Sequence, residues 1–131
     1  MPILVTEKLL KSLERKSSKF GEVRFCMHQS AMKKTHVMFI KKPKVMPLKI
    51  KSHPEYGKYI HLIRGKVLVA IYDNQGGLVQ NFHLNSKAFA VYIPAGIFHS
   101  CSASTRNAIV LECVAGPFDR SSSNLFLPTS D

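Results

Sequence analysis

The chain has 131 residues, 45% of them hydrophobic, and it carries 19 Lys and Arg against 8 Asp and Glu. This length allows one domain with a modest core and is too short for two, and the composition is that of a soluble globular protein. No apolar run approaches the roughly 20 residues that a membrane-spanning helix needs, which argues against an integral membrane protein of the helical class.

One short helix is predicted near the start of the chain. Thr6 can cap its N-terminus, and the helix would end near Lys16. Leu9, Leu10 and Leu13 fall on one face at helical spacing. We therefore expect this apolar face to pack against the rest of the domain.

The chain from about residue 21 to residue 115 has the pattern of short β-strands. Apolar or alternating runs occur at 23–27, 36–40, 46–50, 59–63, 66–72, 78–84, 89–93 and 108–114. The sequence DNQGG after residue 72 is typical of a hairpin turn, because glycine readily adopts positive φ. Short strands behind one small helix predict an all-β fold, a small antiparallel jelly-roll barrel. We expect a single domain over 1–131, with helix and lead-in at 1–20, barrel at 21–115 and an irregular tail at 116–131.

Two stretches within the predicted barrel have a spacing that brings polar side chains to one place. In the first, Lys51 and His53 are one residue apart on a strand, so they face the same side. Lys58 and Gly65 follow them in the same stretch. In the second, IPAGIFH at 93–99, a tight turn at the proline and glycine would aim the final histidine into the barrel.

These spacings resemble the two motifs of the cupins, which are small jelly-roll barrels. Cupins follow G-x5-H-x-H-x4-E-x6-G in the first motif and G-x5-P-x-G-x2-H-x3-N in the second. The resemblance implies an open metal site built from two histidines, a carboxylate and a histidine of the second motif. Here Lys51 stands at the first histidine and Lys58 at the carboxylate. His53 and His99 occupy the two remaining ligand positions.

The chain further resembles one cupin subgroup, the WbuC family of cupin-fold metalloproteins. Four segments are similar to stretches of that family: RFCMHQS at 24–30, SHPE at 52–55, IRGKVLVAIYDNQG at 63–76 and ECVAGPFD at 112–119. Members occur in bacterial gene clusters for O-antigen and other surface polysaccharides. The resemblance therefore implies a cytoplasmic role on a sugar or nucleotide-sugar precursor, and it suggests that His28 faces inward.

The two lysines favour a degenerate metal site that has been converted to anion binding. An ammonium group repels a divalent metal unless it is strongly desolvated, and two imidazoles alone hold such a metal weakly. We expect a small anionic or sugar-type ligand, with His53 and His99 as candidate general acids or bases. The side chains expected to bind this ligand are Lys51, Lys58, Arg24 and Glu112. No cofactor is expected in this interpretation.

Two alternatives stay open. One is a metal-dependent cupin that binds a divalent ion through His53, His99 and His28, with Glu112 as a further ligand. The other is a non-catalytic module that binds an anionic ligand or nucleic acid with its basic first half, since residues 1–66 carry 16 of the Lys and Arg residues. No aromatic residues are interleaved with the lysine clusters, so nucleic acid ranks last.

The sequence also supports expectations about cellular location and oligomeric state. The three cysteines are odd in number and show no CxxC spacing, which argues against a disulfide framework or a zinc knuckle. The first 20 residues lack the apolar run and cleavage site of a signal peptide, so we expect a cytoplasmic protein that does not bind membranes. By analogy with other small cupins we expect a homodimer.

Overall fold

The structure, a computed structural model, describes residues 2–17, 21–44 and 49–117, together with the backbone of 125–126. Within these residues it contains one helix, α1, at Glu7–Arg15. Thr6 caps this helix as predicted, since its side chain accepts a hydrogen bond from the backbone N–H of Leu9 at 3.3 Å. The ten strands in the described residues are β1 Val23–Cys26, β2 Thr35–Lys41, β3 Lys51–Ser52, β4 Lys58–Arg64, β5 Val67–Tyr72, β6 Leu78–Leu84, β7 Ala90–Ile93, β8 Phe98–Ala103, β9 Ile109–Ala115 and β10 Leu125–Phe126.

The strands form two five-stranded sheets in which the neighbouring strands are antiparallel. The first sheet has the order β1-β2-β9-β4-β7, and the second has the order β10-β3-β8-β5-β6. Between them lies one apolar core, whose largest members are Ile40, Ile60, Val67, Val69, Leu84, Ile93 and Val110. The predicted all-β, jelly-roll fold with a short helix in front of the barrel is confirmed.

A second apolar cluster holds α1 against the outer face of the first sheet. Leu10 and Leu13 are buried there against Phe39 and Ile109. On β2, Phe39 faces the helix while its neighbour Ile40 faces the barrel interior, as the alternation of a strand requires. The leucine face that the sequence predicts is therefore the face by which α1 completes the domain.

The sequence pattern misses one strand, β8, which lies in the middle of the second sheet between β3 and β5. Its residues include Ser100 and Ser102, which weaken the apolar signal. Ser100 is nevertheless buried, because its hydroxyl is hydrogen-bonded to the hydroxyl of Tyr72 at 3.1 Å. A buried strand can thus carry polar residues when neighbouring strands supply partners.

Two further elements differ from the expected pattern. Most of the strand predicted at 46–50 lies outside the described residues, which exclude 45–48, and the two-residue strand β3 follows it. Within the tail that was predicted to be irregular, β10 pairs with β3. The rest of the tail, 118–124 and 127–131, is outside the described residues.

Within the described residues, no helix combines the length and the hydropathy that a bilayer span requires.

Candidate functional site

A turn at Pro94–Gly96 joins the two motif stretches. Gly96 has a φ of +80° and donates its backbone N–H to the carbonyl of His53 at 2.8 Å. Lys51 pairs with His99 across strands β3 and β8. The structure thus brings His53 and His99 together, with their ring centroids 5.8 Å apart, as the motif spacing predicts.

The ring of His53 is held by aromatic packing. His53 is buried, and Tyr56 stacks on it with a centroid distance of 5.1 Å and an interplanar angle of 18°. Tyr56 lies only three residues further along the chain, so this contact is local. The loop between β3 and β4 therefore fixes the orientation of the imidazole.

His99 is a neutral, fully buried imidazole. Its Nδ1 is 3.0 Å from the carbonyl oxygen of Ile97, and a carbonyl only accepts, so Nδ1 carries the proton and Nε2 presents a lone pair. Among the described residues Nε2 has no hydrogen-bond partner. Burial, followed by the positive charge of Lys58, lowers the pKa of His99 to about 3. At neutral pH the Nε2 of His99 can therefore accept a hydrogen bond or bind a metal ion, but it has no proton to donate.

A buried carboxylate, Glu112, is the centre of a charged cluster in the barrel. Its Oε1 is 3.1 Å from Nζ of Lys42, and its Oε2 is 3.7 Å from Nζ of Lys58. Burial alone would raise the pKa of Glu112, but the charges of Lys42 and then Lys58 hold it well below its ordinary value. Glu112 is therefore ionised and paired with lysines.

Lys42 is a member of this cluster that lies outside the two motifs predicted from the sequence. It is 4% exposed, and its Nζ also contacts Oε1 of Glu22 at 3.0 Å. Burial would lower the pKa of Lys42, but Glu112 and Glu22 raise it above its ordinary value, so the ammonium is charged. Lys42 directly follows β2, outside both motifs, and nothing in its local sequence separates it from the chain's other lysines.

Lys58 and Lys51, the two lysines at motif positions, differ from Lys42 in the direction of their pKa shifts. Lys58 is 2% exposed, and burial lowers its pKa to about 7, with Glu112 opposing and Lys51 adding to the shift. Burial also lowers the pKa of Lys51. The positive charge of Lys51 thus disfavours a second ammonium group at Lys58.

Arg24 lies at the rim of the cluster with 48% of its side chain exposed. It forms an ion pair with Oε2 of Glu22 at 2.8 Å. Burial would raise the pKa of Glu22, but Lys42 and then Arg24 lower it to about 2. The predicted ligand-binding residues Arg24 and Glu112 thus belong to one charge cluster, joined by Glu22 and Lys42, which the motifs do not include.

His28 does not join the other two histidines in a group that could hold a metal ion within the described residues. Its ring stacks on His36 with the centroids 4.0 Å apart, and its Nδ1 is 3.4 Å from the carbonyl of Val37. His28 follows β1 in a half-buried position, where the strand no longer directs it into the barrel.

The described residues do not fit a cupin-type metal centre. In that part of the chain no three His, Cys, Asp or Glu side chains are grouped so that they could hold a metal ion. The imidazole of His99 is coupled electrostatically to the positive charges of Lys58 and Lys51. A divalent cation in that place would face ammonium groups where a ligand set needs anions.

A separate basic groove of about 380 Å³ lies at the C-terminal end of α1. Its lining contains one carboxylate, that of Glu14, and six cationic residues, which are Arg15, Lys16, Lys41, Lys42, Lys44 and Arg106. The described lining residues include no aromatic side chain on which a base could stack. The groove therefore accounts for part of the basic first half without favouring nucleic acid.

Comparisons with known proteins bear on the fold. No protein-family model and no curated protein matches the chain. The WbuC resemblance therefore depends on the sequence segments alone.

Solved structures with the cupin fold do match. BH2720 from Bacillus halodurans is 19% identical with a TM-score of 0.64, and the match covers 91% of this chain and 84% of that one. KdgF from Halomonas sp. is 13% identical with a TM-score of 0.58, over 81% of this chain and 87% of that one. The oxalate decarboxylase of Lactobacillus farciminis, solved with formate, is 14% identical with a TM-score of 0.55 over 72% of this chain, which spans only 27% of that enzyme. At such identities the likeness shows the fold.

Proposed function

We propose that this cupin-fold chain binds a small anionic ligand inside its barrel, at Lys51 and Lys58. The observation that carries the proposal is the balance of charges around Glu112. Three lysines face two carboxylates there: Lys42, Lys51 and Lys58 against Glu22 and Glu112. When all are ionised the cluster has a surplus positive charge, which an anion would neutralise.

The three lysines have different roles in this proposal. Lys42 lies within 3.1 Å of both carboxylates and is the lysine that pairs with them most closely. Lys58 is 3.7 Å from Glu112, longer than a good hydrogen bond, and Lys51 is the half-buried lysine beside it. These two amines would donate charge-assisted hydrogen bonds to a carboxylate or phosphate oxygen. The neutral Nε2 of His99 would accept a hydrogen bond from a ligand hydroxyl.

The identity of the ligand is proposed from the sequence resemblance. A WbuC-like protein would bind or act on a sugar or nucleotide-sugar precursor of surface polysaccharide of the O-antigen type, in the cytoplasm and as a homodimer. Sugar acids and nucleotide sugars both carry the anionic groups that the lysine pair would hold. If the chain is catalytic, His53 is the residue we propose as general acid or base, because His99 is held neutral.

Calorimetric titration with small anions tests this proposal. Oxalate and formate serve as first probes because the similar oxalate decarboxylase was solved with formate, and a uronic acid and a nucleotide sugar follow. Lys51→Met and Lys58→Met should each weaken binding about tenfold or more, since a hydrogen bond to a charged group contributes roughly 1.5–3 kcal/mol. Lys87→Met, at an exposed loop lysine, is the matched control and should bind as the wild type does. Equal affinities in all four proteins, or no binding of any anion, would refute the proposal.

Metal binding is the second candidate, favoured by one observation. The buried Nε2 of His99 presents a lone pair with no hydrogen-bond partner among the described residues. In this alternative His53 and His99 would bind a divalent metal, and the lysines would have to deprotonate or turn away. Metal analysis of protein purified without chelator separates the two candidates.

A further inference from the structure

The basic groove at the C-terminal end of α1 is built from three separate parts of the chain. Arg15 is the last residue of the helix and Lys16 is its C-cap. Residues 41–44 come from the end of β2 and the segment after it, and Arg106 lies in the turn between β8 and β9. The fold thus gathers these cations around one groove of about 380 Å³, a volume in the range of small-molecule sites.

The carboxylate and one of the lysines that line this groove are already paired with residues outside it. Oε1 of Glu14 is 2.7 Å from Nη1 of Arg64, which is not among the lining residues. Lys42 pairs with the carboxylates of Glu22 and Glu112. Glu14 therefore does not balance the charge of the other cations in the groove.

Lys41 covers the end of the helix. The C-terminal end of a helix ordinarily repels an anion, because its unpaired carbonyl oxygens carry partial negative charge. Here Nζ of Lys41 donates to the backbone carbonyl of Glu14 at 3.0 Å and to that of Lys16. An ammonium group therefore lies against these carbonyls, and the groove keeps its positive character.

Four further cations line the groove, and all of them are exposed. In the described part of the chain they form no ion pair with a carboxylate; they are Arg15, Lys16, Lys44 and Arg106. Like charges around one groove repel one another. An anion between them would relieve this repulsion and accept charge-assisted hydrogen bonds.

We propose that this groove is a second anion site, separate from the barrel site, and that it binds a diphosphate group. A phosphate group carries roughly 1.5 to 2 negative charges near pH 7, so two linked groups approach the charge of four cations. The guanidinium groups of Arg15 and Arg106 have the fork geometry that phosphate oxygens accept. Because the described lining has no aromatic ring for a base, the phosphates themselves are the recognised group, whether free or part of a nucleotide.

Calorimetric titration of the whole chain with inorganic pyrophosphate tests this site, with orthophosphate and uridine diphosphate as the further ligands. Arg15→Gln and Arg106→Gln each remove one cation of the groove. Lys87→Met, at an exposed loop lysine, is the matched control. Labelling of arginines by phenylglyoxal, with and without pyrophosphate and mapped by mass spectrometry, locates the anion on the wild-type protein even if a variant fails to fold.

Pyrophosphate should bind at least about tenfold more tightly than orthophosphate, since it engages more of the cations. Arg15→Gln and Arg106→Gln should each weaken pyrophosphate binding about fivefold or more, because each removes a charge-assisted hydrogen bond that solvent partly screens. Lys87→Met should bind as the wild type does. Pyrophosphate should also protect both groove arginines from phenylglyoxal.

The two sources of the diphosphate group are distinguished by the nucleotide. Uridine diphosphate that binds as tightly as pyrophosphate would identify nucleotides as a source, and weaker binding would identify free pyrophosphate. Uridine diphosphate binding more than about tenfold tighter would overturn recognition by the phosphates alone.

Equal pyrophosphate affinities in the wild type and both arginine variants, or arginines that pyrophosphate does not protect, would overturn the groove site. Pyrophosphate binding that is lost in Lys51→Met but kept in the arginine variants would assign the anion to the barrel. That result would overturn this inference and leave the proposed function standing.

Discussion

The backbone N–H of Gly96 donates a hydrogen bond to the backbone carbonyl of His53 at 2.8 Å, and so ties the turn of the second motif to the first. Because Gly96 has a φ of +80°, the turn depends on a residue without a Cβ atom. His99 follows this turn by three residues. The relative position of the two imidazoles is therefore set by one glycine conformation.

Gly96→Ala should separate the effect of this turn on the site from its effect on stability. A Cβ at Gly96 would have no atom within 4 Å, so the cost is backbone strain alone, about 1–2 kcal/mol. Gly76, with a φ of +84° and the same open surroundings, is the matched control in the distant hairpin. Urea unfolding should show similar losses for Gly96→Ala and Gly76→Ala, but only Gly96→Ala should weaken oxalate binding. Equal oxalate affinities in both variants would contradict this role of the turn.

Glu112→Gln should be strongly destabilising. The change leaves the buried ammonium of Lys42 with one carboxylate and removes the anion beside Lys58. Removing one partner of a buried ion pair costs about 3–5 kcal/mol. Glu7→Gln, which removes the exposed partner of Arg64, should change the free energy of unfolding by at most about 1 kcal/mol. A loss for Glu112→Gln no larger than that of the control would show that the cluster is solvated.

The stability of the protein should rise between about pH 7 and pH 10 because of Lys58. Its pKa is about 7 in the folded protein against an ordinary value of 10.5, so the unfolded chain binds more protons across this interval. The free energy of unfolding then increases with pH, by up to about 1.4 kcal/mol per unit. Below about pH 7 both states are protonated and the slope from this group vanishes.

Chemical unfolding of wild type and Lys58→Met at a series of pH values measures this contribution. The difference between the two free energies of unfolding should grow in favour of the wild type as pH rises from about 7 to 10. The charged and titratable groups coupled to Lys58 are Glu112, Lys51, Lys42, His99 and Cys101, and all of them remain in the variant. A difference that does not change with pH would mean that Lys58 keeps its ordinary pKa.

Restoring cupin ligands should convert the pocket to metal binding. In Lys51→His, Lys58→Glu the local formal charge becomes more negative by three units, and a carboxylate joins three imidazoles. In the wild type, unit charges about 4 Å apart repel by roughly 4 kcal/mol at an effective dielectric of about 20, and more for a divalent ion. Assays for Zn, Fe, Mn and Ni should find the wild type nearly metal-free and the double variant loaded.

The control for this experiment is the same double variant with His99→Ala, which should lose the metal again. Stoichiometric metal in the wild type that His99→Ala abolishes would move metal binding to first place. It would also show that the lysines deprotonate or turn away when a metal enters.

The fold could be predicted largely from the sequence, because most strands bury one face and leave an apolar or alternating pattern. The helix was predictable as well, since Thr6 and the leucine spacing are local signals. Strand β8 was not, because Ser100 is satisfied by Tyr72, a partner that only the tertiary structure brings near. The sequence pattern of one strand does not show which side chains of neighbouring strands will form hydrogen bonds with its polar residues.

The site could be predicted in part, for a related reason. Fixed spacing gives the positions of His53 and His99, since neighbours on a strand and residues after a tight turn have defined directions. Lys42 and Glu22 reach the same place from the ends of other elements, so their role depends on how the sheets pack. His28 is the reverse case, because strand β1 ends at Cys26, two residues before it, and so does not direct the ring inward.

The interior of the barrel has an apolar region and a charged region. Ile60 and Val110 belong to the apolar core, while Lys58 and Glu112, two residues along the same strands, belong to the ion cluster. The apolar positions therefore supply most of the free energy of folding, and the charged positions beside them supply the groups that would bind a ligand. Because the two regions are separate, histidine or glutamate in the charged region can be replaced by lysine without disturbing the apolar core. One barrel can therefore acquire a new ligand chemistry through substitutions at a few positions.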